Sequence, residues 1–303
     1  MYDAALEKLE EANHLAELYH LKPNKEFRTF IFNAARPRTF EFIFEGTSYV
    51  RSNNLTAARD KFNMATESQQ KYFLMEDVEI NKQLETLRKG IFTQQCINAQ
   101  NSVDSAYNKG QEVEAEMQYL HANSCYEYGL EIANLNLNCN ISIDSLESAI
   151  FNIRPAVTYL QLMKEVKNDE TKGRFQLSMD NYEKATKYFL EFKINSFGLD
   201  HDPNLFAFIT NKGSNGMINY AASRYREQNE LDHSLTLYKI LIDRNYDLEM
   251  IEGSLYKLGF QLGQTDKKLN PGSSWRELVK VYTNDNKKLK RLRKGYKRGF
   301  KSK

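Results

Sequence analysis

The side chains able to do chemistry are scattered along the chain. The five histidines are His14, His20, His121, His201 and His233. None lies in an HExxH pattern or four residues from another, so the two-on-one-face spacing of helical zinc ligands is missing. His201 stands in a polar stretch, where a solvated or capping role is expected. Cys96, Cys125 and Cys139 form no CxxC pair, which excludes a zinc ribbon. Their odd number and wide spacing read as free thiols in a reducing compartment, not as a disulfide framework. Lys212-Gly-Ser-Asn-Gly216 looks like a phosphate loop, but it has no preceding strand and no Gly-Lys-Ser/Thr ending. A helix-capping loop is expected there. No nucleophile elbow or dinucleotide fingerprint occurs, and acid pairs such as Glu10-Glu11 fall on polar faces. The expectation is a protein with no catalytic residue, no metal ligand and no cofactor.

Positive charge is concentrated at one end. Residues 287–303 hold ten of the 42 Lys and Arg and none of the 40 acids, so the preceding body carries 32 cations against 40 acids. Lys287, Lys288, Lys290, Arg291, Arg293, Lys294, Lys297 and Arg298 are candidate contacts to a polyanion. Neutralising several phosphates would make such binding steeply salt-dependent, and Tyr296 and Phe300 could stack on bases. A solvated extension, or a tail paired with the acidic body, is the competing reading.

The elements that must position these residues are helices. The chain has 303 residues, with only 5 Pro and 14 Gly against 18 Tyr and 18 Phe. That is too few turn-formers for many short strands, and the aromatic mass suits a large core. No apolar run reaches membrane-spanning length, and the Glu-rich first 20 residues do not read as a signal peptide. Together with the thiols this suggests a cytoplasmic protein (nuclear in a eukaryote), although a signal already removed would leave the same chain. Residues 3–21 place Leu6, Leu9, Ala12 and Tyr19 on one helical face. Breaks are expected at Lys22-Pro23-Asn24, Asn53-Asn54, Asn108-Lys-Gly110, Asn138 to Asn140, Asp200 to Pro203, Lys212 to Gly216 and Asn270-Pro-Gly272. At Asp202-Pro203 the carboxylate would cap and the proline would open the first turn. The pair Gly259 and Gly263, four apart, suggests close helix packing.

A template recurs. Gly46 and Tyr49 are followed by Ala58, Phe62 and Ala65. Gly173 and Gln176 are followed by Ala185, Phe189 and Phe192. Ala222 and Tyr225 are followed by Ser234, Tyr238 and Leu241. The offsets from the first residue are 3, 12, 16 and 19 in each set. Two antiparallel helices joined tightly approach to about 8–10 Å only where a contact residue is small. Turns are expected at Ser52 to Asn54, Ser178-Met-Asp180 and Gln228 to Glu230.

This pattern resembles the tetratricopeptide repeat. The resemblance covers roughly half the chain, in separated units, and the proline that usually closes the second helix is absent. It implies an all-α, right-handed α-solenoid of antiparallel helical hairpins. The organisation would be a helical segment at 1–37, a repeat domain at 38–283 with a divergent long-helix section at about 76–138, and a basic helix or tail at 284–303. In that family the first helix of each hairpin lines a concave groove. Carried onto this chain, the groove positions are Arg174, Asn219, Ser223, Arg226 and Tyr256. Asn can bond both polar groups of an extended peptide backbone, and Arg can fork onto a carboxylate. The same residues would also suit the exposed face of an ordinary amphipathic helix. The implied function is a non-catalytic scaffold or adaptor for a protein or peptide, in a narrower version a signalling-peptide receptor. The alternative is nucleic-acid or polyanion binding through the tail. The last expectation is a helix at about 273–283 followed by a basic helix from 287, docked through Leu289, Leu292, Tyr296 and Phe300.

Overall fold

A computed structural model of the chain describes residues 2–21, 25–283 and 287–302, the side chains of Lys25 and Lys287 excepted. The expected break at Lys22 to Asn24, and residues 284–286 between the two expected C-terminal helices, lie outside the described residues. Every regular element described is helical, and the helices pack in pairs. In order they are α1 (Tyr2–Leu18), α2 (Lys25–Arg51), α3 (Leu55–Lys71), α4 (Val78–Ala115), α5 (Tyr119–Leu135), α6 (Asp144–Thr171) and α7 (Phe175–Glu191). There follow α8 (Leu205–Lys212), α9 (Asn215–Glu227), α10 (Leu231–Asp243), α11 (Leu248–Leu269), α12 (Trp275–Thr283) and α13 (Lys290–Lys301). The chain divides into two compact units, Met1–Phe151 and Asn152–Lys303, and α6 runs across the division. The helix α2 continues through Pro37, so no element ends at that position. Among the described residues no helix is long and apolar enough to cross a membrane.

Four hairpins share one register. The residues at its offsets 0, 12, 16 and 19 are Gly46, Ala58, Phe62 and Ala65 in α2–α3, and Gly110, Ala122, Tyr126 and Gly129 in α4–α5. They are Val166, Ser178, Tyr182 and Ala185 in α6–α7, and Ala222, Ser234, Tyr238 and Leu241 in α9–α10. The residue seven after the first is left-handed each time, with φ of 58° at Asn53, 60° at Met117, 72° at Gly173 and 65° at Asn229. The N–H of that residue donates to the carbonyl three before it, and the next N–H to the carbonyl five before it. This is the Schellman closure of a helix C-terminus. Ala58, Ala122, Ala185 and Ala222 have no exposed surface, and Tyr126, Tyr182 and Tyr238 are among the largest fully buried side chains. Ser178 and Ser234 each donate a 2.8 Å hydrogen bond to the carbonyl twelve residues earlier, Val166 and Ala222.

This register corrects two expectations. Ser178-Met-Asp180 is not a turn but lies within α7. Gly173 is not a packing glycine: a Cβ there would meet nothing within 4 Å, and its positive φ marks it as the turn residue. The first residue of that hairpin is Val166, seven earlier. The α4–α5 hairpin had no template because Asn108-Lys-Gly110 read as a break. It lies inside the 38-residue α4, and Gly110 is there because the Tyr126 ring would sit 2.2 Å from a Cβ.

Three further points differ from the sequence reading. Cys96 on α4 and Cys139, in the 3₁₀ turn Leu137–Cys139, are joined by a disulfide across a Cα–Cα distance of 5.1 Å, leaving Cys125 free. Helix packing brings together two cysteines 43 residues apart, a proximity their spacing does not display. The thiols therefore give no support to a reducing compartment. Asp202 accepts the Asn204 N–H, and Asn204 caps α8 through the Ala207 N–H, so Pro203 precedes the helix. His201 is half-buried, with Nδ1 2.9 Å from the Tyr159 hydroxyl and Nε2 2.7 Å from that of Thr186. The Thr186 proton is committed to the Tyr182 carbonyl, so Thr186 accepts from Nε2–H and Nδ1 accepts from Tyr159. Burial pushes the imidazole below its ordinary pKa.

Candidate functional site

The basic C-terminal helix is docked, and glycines on both partners allow it. A Cβ on Gly259 would stand 2.1 Å from the Leu292 carbonyl oxygen, and one on Gly263 2.3 Å from that of Tyr296. Reciprocally, a Cβ on Gly295 or Gly299 would stand 2.0 Å from the carbonyl oxygen of Tyr256 or Phe260. Two Gly-x-x-x-Gly faces thus bring the backbones of α11 and α13 together. The glycines that weaken α13 as an isolated helix are what let it pack. Leu289, Leu292 and Tyr296 are buried, and Phe300 packs on the same core. Asp266 fastens the arrangement, accepting from the Tyr282 hydroxyl at 3.0 Å and the Tyr296 hydroxyl at 2.5 Å. Burial and this carboxylate drive both phenols far above their ordinary pKa. Tyr296 is therefore closed to base stacking, contrary to the sequence reading.

Beside this contact lies a cleft of about 1070 Å³ bounded by the end of α9, by α11 and by α13. The end of α9 supplies Arg226 and Glu227. One face of α11 supplies Tyr256, Lys257, Phe260 and Gln261, and α13 contributes Lys294, Lys297, Arg298 and Lys301, with Ser302 just after it. Among the described residues, six cations thus face one acid. The Arg298 guanidinium donates to the Tyr256 hydroxyl at 3.3 Å, and the Lys297 ammonium lies 5.5 Å from the centre of the Trp275 ring. Lys294, Lys297, Arg298 and Lys301 are exposed. They recur at steps of three, one and three, which keeps them on one helix face.

Arg226 is the buried cation of the lining. It is 9% exposed. Its Nη2 donates to Glu227 Oε1 at 3.1 Å, and its Nη1, shielded from solvent, has no hydrogen-bond partner among the described residues. Its backbone carbonyl accepts from the Asn229 N–H in the turn and from Gln261 Nε2 at 3.5 Å, which ties the end of α9 to α11.

The expected site residues fall into three groups. Arg226 and Tyr256 line the cleft with Lys294, Lys297 and Arg298, so the groove set and the polyanion set partly coincide. Asn219 and Ser223 share α9 but not the cleft lining, and Ser223 is 3.0 Å from the Tyr238 hydroxyl inside its own hairpin. Arg174 is the residue before α7, ion-paired with buried Asp169, because the hairpin register lies seven residues earlier than the sequence reading placed it. Beyond the cleft, Arg291 pairs with Glu252 at 2.8 Å, Lys288 donates to Asn245 at 3.1 Å, and Lys290 is exposed. Arg293 is exposed on α13 and engaged in an interaction of its own, while the Lys287 side chain lies outside the described set. Lys257, Gln261 and Lys301 were missed. The i, i+1, i+4, i+5 run Tyr256, Lys257, Phe260, Gln261 was the available signal.

A cleft of about 810 Å³ in the first unit is lined by α1, α2 and the end of α3. Its Glu10 is already paired with Lys71 at 2.7 Å and with the Tyr72 hydroxyl, which holds that carboxyl below its usual range. Among the described residues no group of three His, Cys, Asp or Glu is placed to hold a metal. Compared with known family models, curated proteins and solved structures, the chain matches none.

Proposed function

We propose that this chain is a non-catalytic binding protein. Its hairpins stack in the manner of tetratricopeptide repeats into an α-solenoid, and its α9/α11/α13 cleft holds an acidic segment of a partner protein. One observation carries the reading: among the described residues, a buried arginine, five exposed cations and two aromatic rings line a single cleft with one acid. Uncompensated charge in a concave site concentrates counter-charged ligands. Tyr256 and Phe260 offer apolar faces for side chains between the acids of an extended peptide. The shared hairpin register and the identical Schellman closures support the repeat architecture.

A second reading is single-stranded nucleic acid. It is favoured by the row Lys294, Lys297, Arg298 and Lys301 running beside Tyr256 and Phe260, which stand one turn apart. Backbone tracking plus base stacking needs that combination. Fluorescence anisotropy with a labelled, amidated Glu-rich dodecapeptide and with a labelled oligo(dT) separates the two. The peptide is expected to bind and to be lost on Lys294→Glu/Lys301→Glu. Binding of oligo(dT) alone would transfer the assignment to nucleic acid, and binding of neither would end both.

A further inference from the structure

The chemistry of the ligand's anchor can be taken further, on the basis of the acidic-segment reading just given. Five of the six cleft cations are exposed, so they serve as diffuse charge. Arg226 differs: it is nine-tenths buried, its backbone carbonyl is bonded by the turn and by Gln261, and one nitrogen of its fork has no hydrogen-bond partner among the described residues. A shielded charged donor without a partner is costly, and a ligand carboxylate is an acceptor that would relieve it. The other nitrogen is held by Glu227, the next residue in the chain, whose side chain is 70% exposed. A pair in which one partner is largely solvated is weak, so it opens readily.

We infer that Arg226 is the specificity anchor of the cleft, taking a two-oxygen carboxylate of the bound acidic segment on its fork. Glu227 is an internal stand-in for that carboxylate and is displaced when the segment binds. The guanidinium then swings from a one-nitrogen contact with its neighbour to a two-nitrogen contact with the ligand. A planar fork matched to a carboxylate gives a directional contact that a lysine ammonium cannot reproduce. Affinity is then set by geometry at Arg226, while the α13 lysines set the rate of encounter and its salt dependence. The carboxylate can come from an acidic side chain or from a chain terminus.

The test uses the full chain and the Glu-rich dodecapeptide, amidated or with a free C-terminus, titrated at fixed salt. Arg226→Lys keeps the charge and removes the fork; binding is expected to weaken about tenfold or more. Glu227→Gln frees the fork and is expected to tighten binding by about threefold. Glu252→Gln changes net charge equally on α11 but outside the cleft lining, and leaves affinity unchanged. Equal binding of both peptide forms identifies side-chain carboxylates as the source, and preference for the free terminus identifies the chain end; either supports the anchor. If wild type binds but Arg226→Lys matches it, or Glu252→Gln tightens as much as Glu227→Gln, the cleft acts through bulk charge and the anchor is wrong. If wild type fails to bind, the acidic-segment reading falls with it. Should Arg226→Lys prove unfolded by circular dichroism, the comparison of Glu227→Gln with Glu252→Gln decides alone.

Discussion

Replacing Gly295 and Gly299 by alanine tests the packing that forms the cleft. Each added Cβ would stand 2.0 Å from a carbonyl oxygen of α11, where ordinary contact begins at 3.4 Å. The obstacle is backbone on backbone, so no rotamer change relieves it; α13 must withdraw by about 1.4 Å. Overpacking of this kind costs about 1–3 kcal/mol per site, here at the upper end. Alanine returns about 1 kcal/mol per site through helix propensity. The net loss for the pair is therefore about 2–4 kcal/mol, a fall of roughly 5–15 °C in Tm. Gly253 on the same α11 is the control, because a Cβ there meets nothing within 4 Å and alanine should be neutral or stabilising. Thermal melts by circular dichroism read the stability, and hydrogen exchange of the α13 amides reads the docking. A double variant as stable as wild type, with α13 still protected, would refute the close-packed glycine contact.

Further outcomes follow from the same geometry. Reducing Cys96–Cys139 opens a 43-residue separation, which in the chain-entropy account is worth about 4 kcal/mol. Differential scanning calorimetry should show a lower transition on reduction, and alkylation of the unreduced protein should modify Cys125 alone. His201 has a folded pKa below its unfolded value, so its contribution is complete above about pH 6.5 and is lost as pH falls toward the folded pKa. Tm should therefore drop more steeply below pH 6.5 in wild type than in His201→Gln, and parallel curves would remove that role. Ala222→Phe places a ring where no surface is exposed and should cost about 1–3 kcal/mol in a denaturant titration. Truncation after residue 286 should lower the Tm of the remainder and expose apolar surface to dye, since Leu289, Leu292 and Tyr296 cover the core of the second unit.

Helical content, most breaks and the docked apolar stripe of α13 were legible because each rests on local periodicity and turn chemistry. The hairpin register was legible at Gly46 and Ala222, where a small residue stands seven before an asparagine turn. It failed at Gly173 because glycine serves both as a packing residue and as a left-handed turn residue, and sequence alone does not say which. Gly110 was misread in the opposite sense. The positive-φ residue Met117 hid the fourth hairpin, since methionine carries no turn signal. The disulfide and the cleft depend on which helices meet, so only Arg226, Tyr256 and part of the cationic row could be anticipated.

The most direct test of the cleft assignment is lysine footprinting by brief acetylation and mass spectrometry, with and without the Glu-rich dodecapeptide. The account predicts slower acetylation at Lys257, Lys294, Lys297 and Lys301, with no change at Lys290, which shares α13 but not the cleft lining. Protection of Lys290 equal to that of Lys297, or protection confined to other helices, would contradict it.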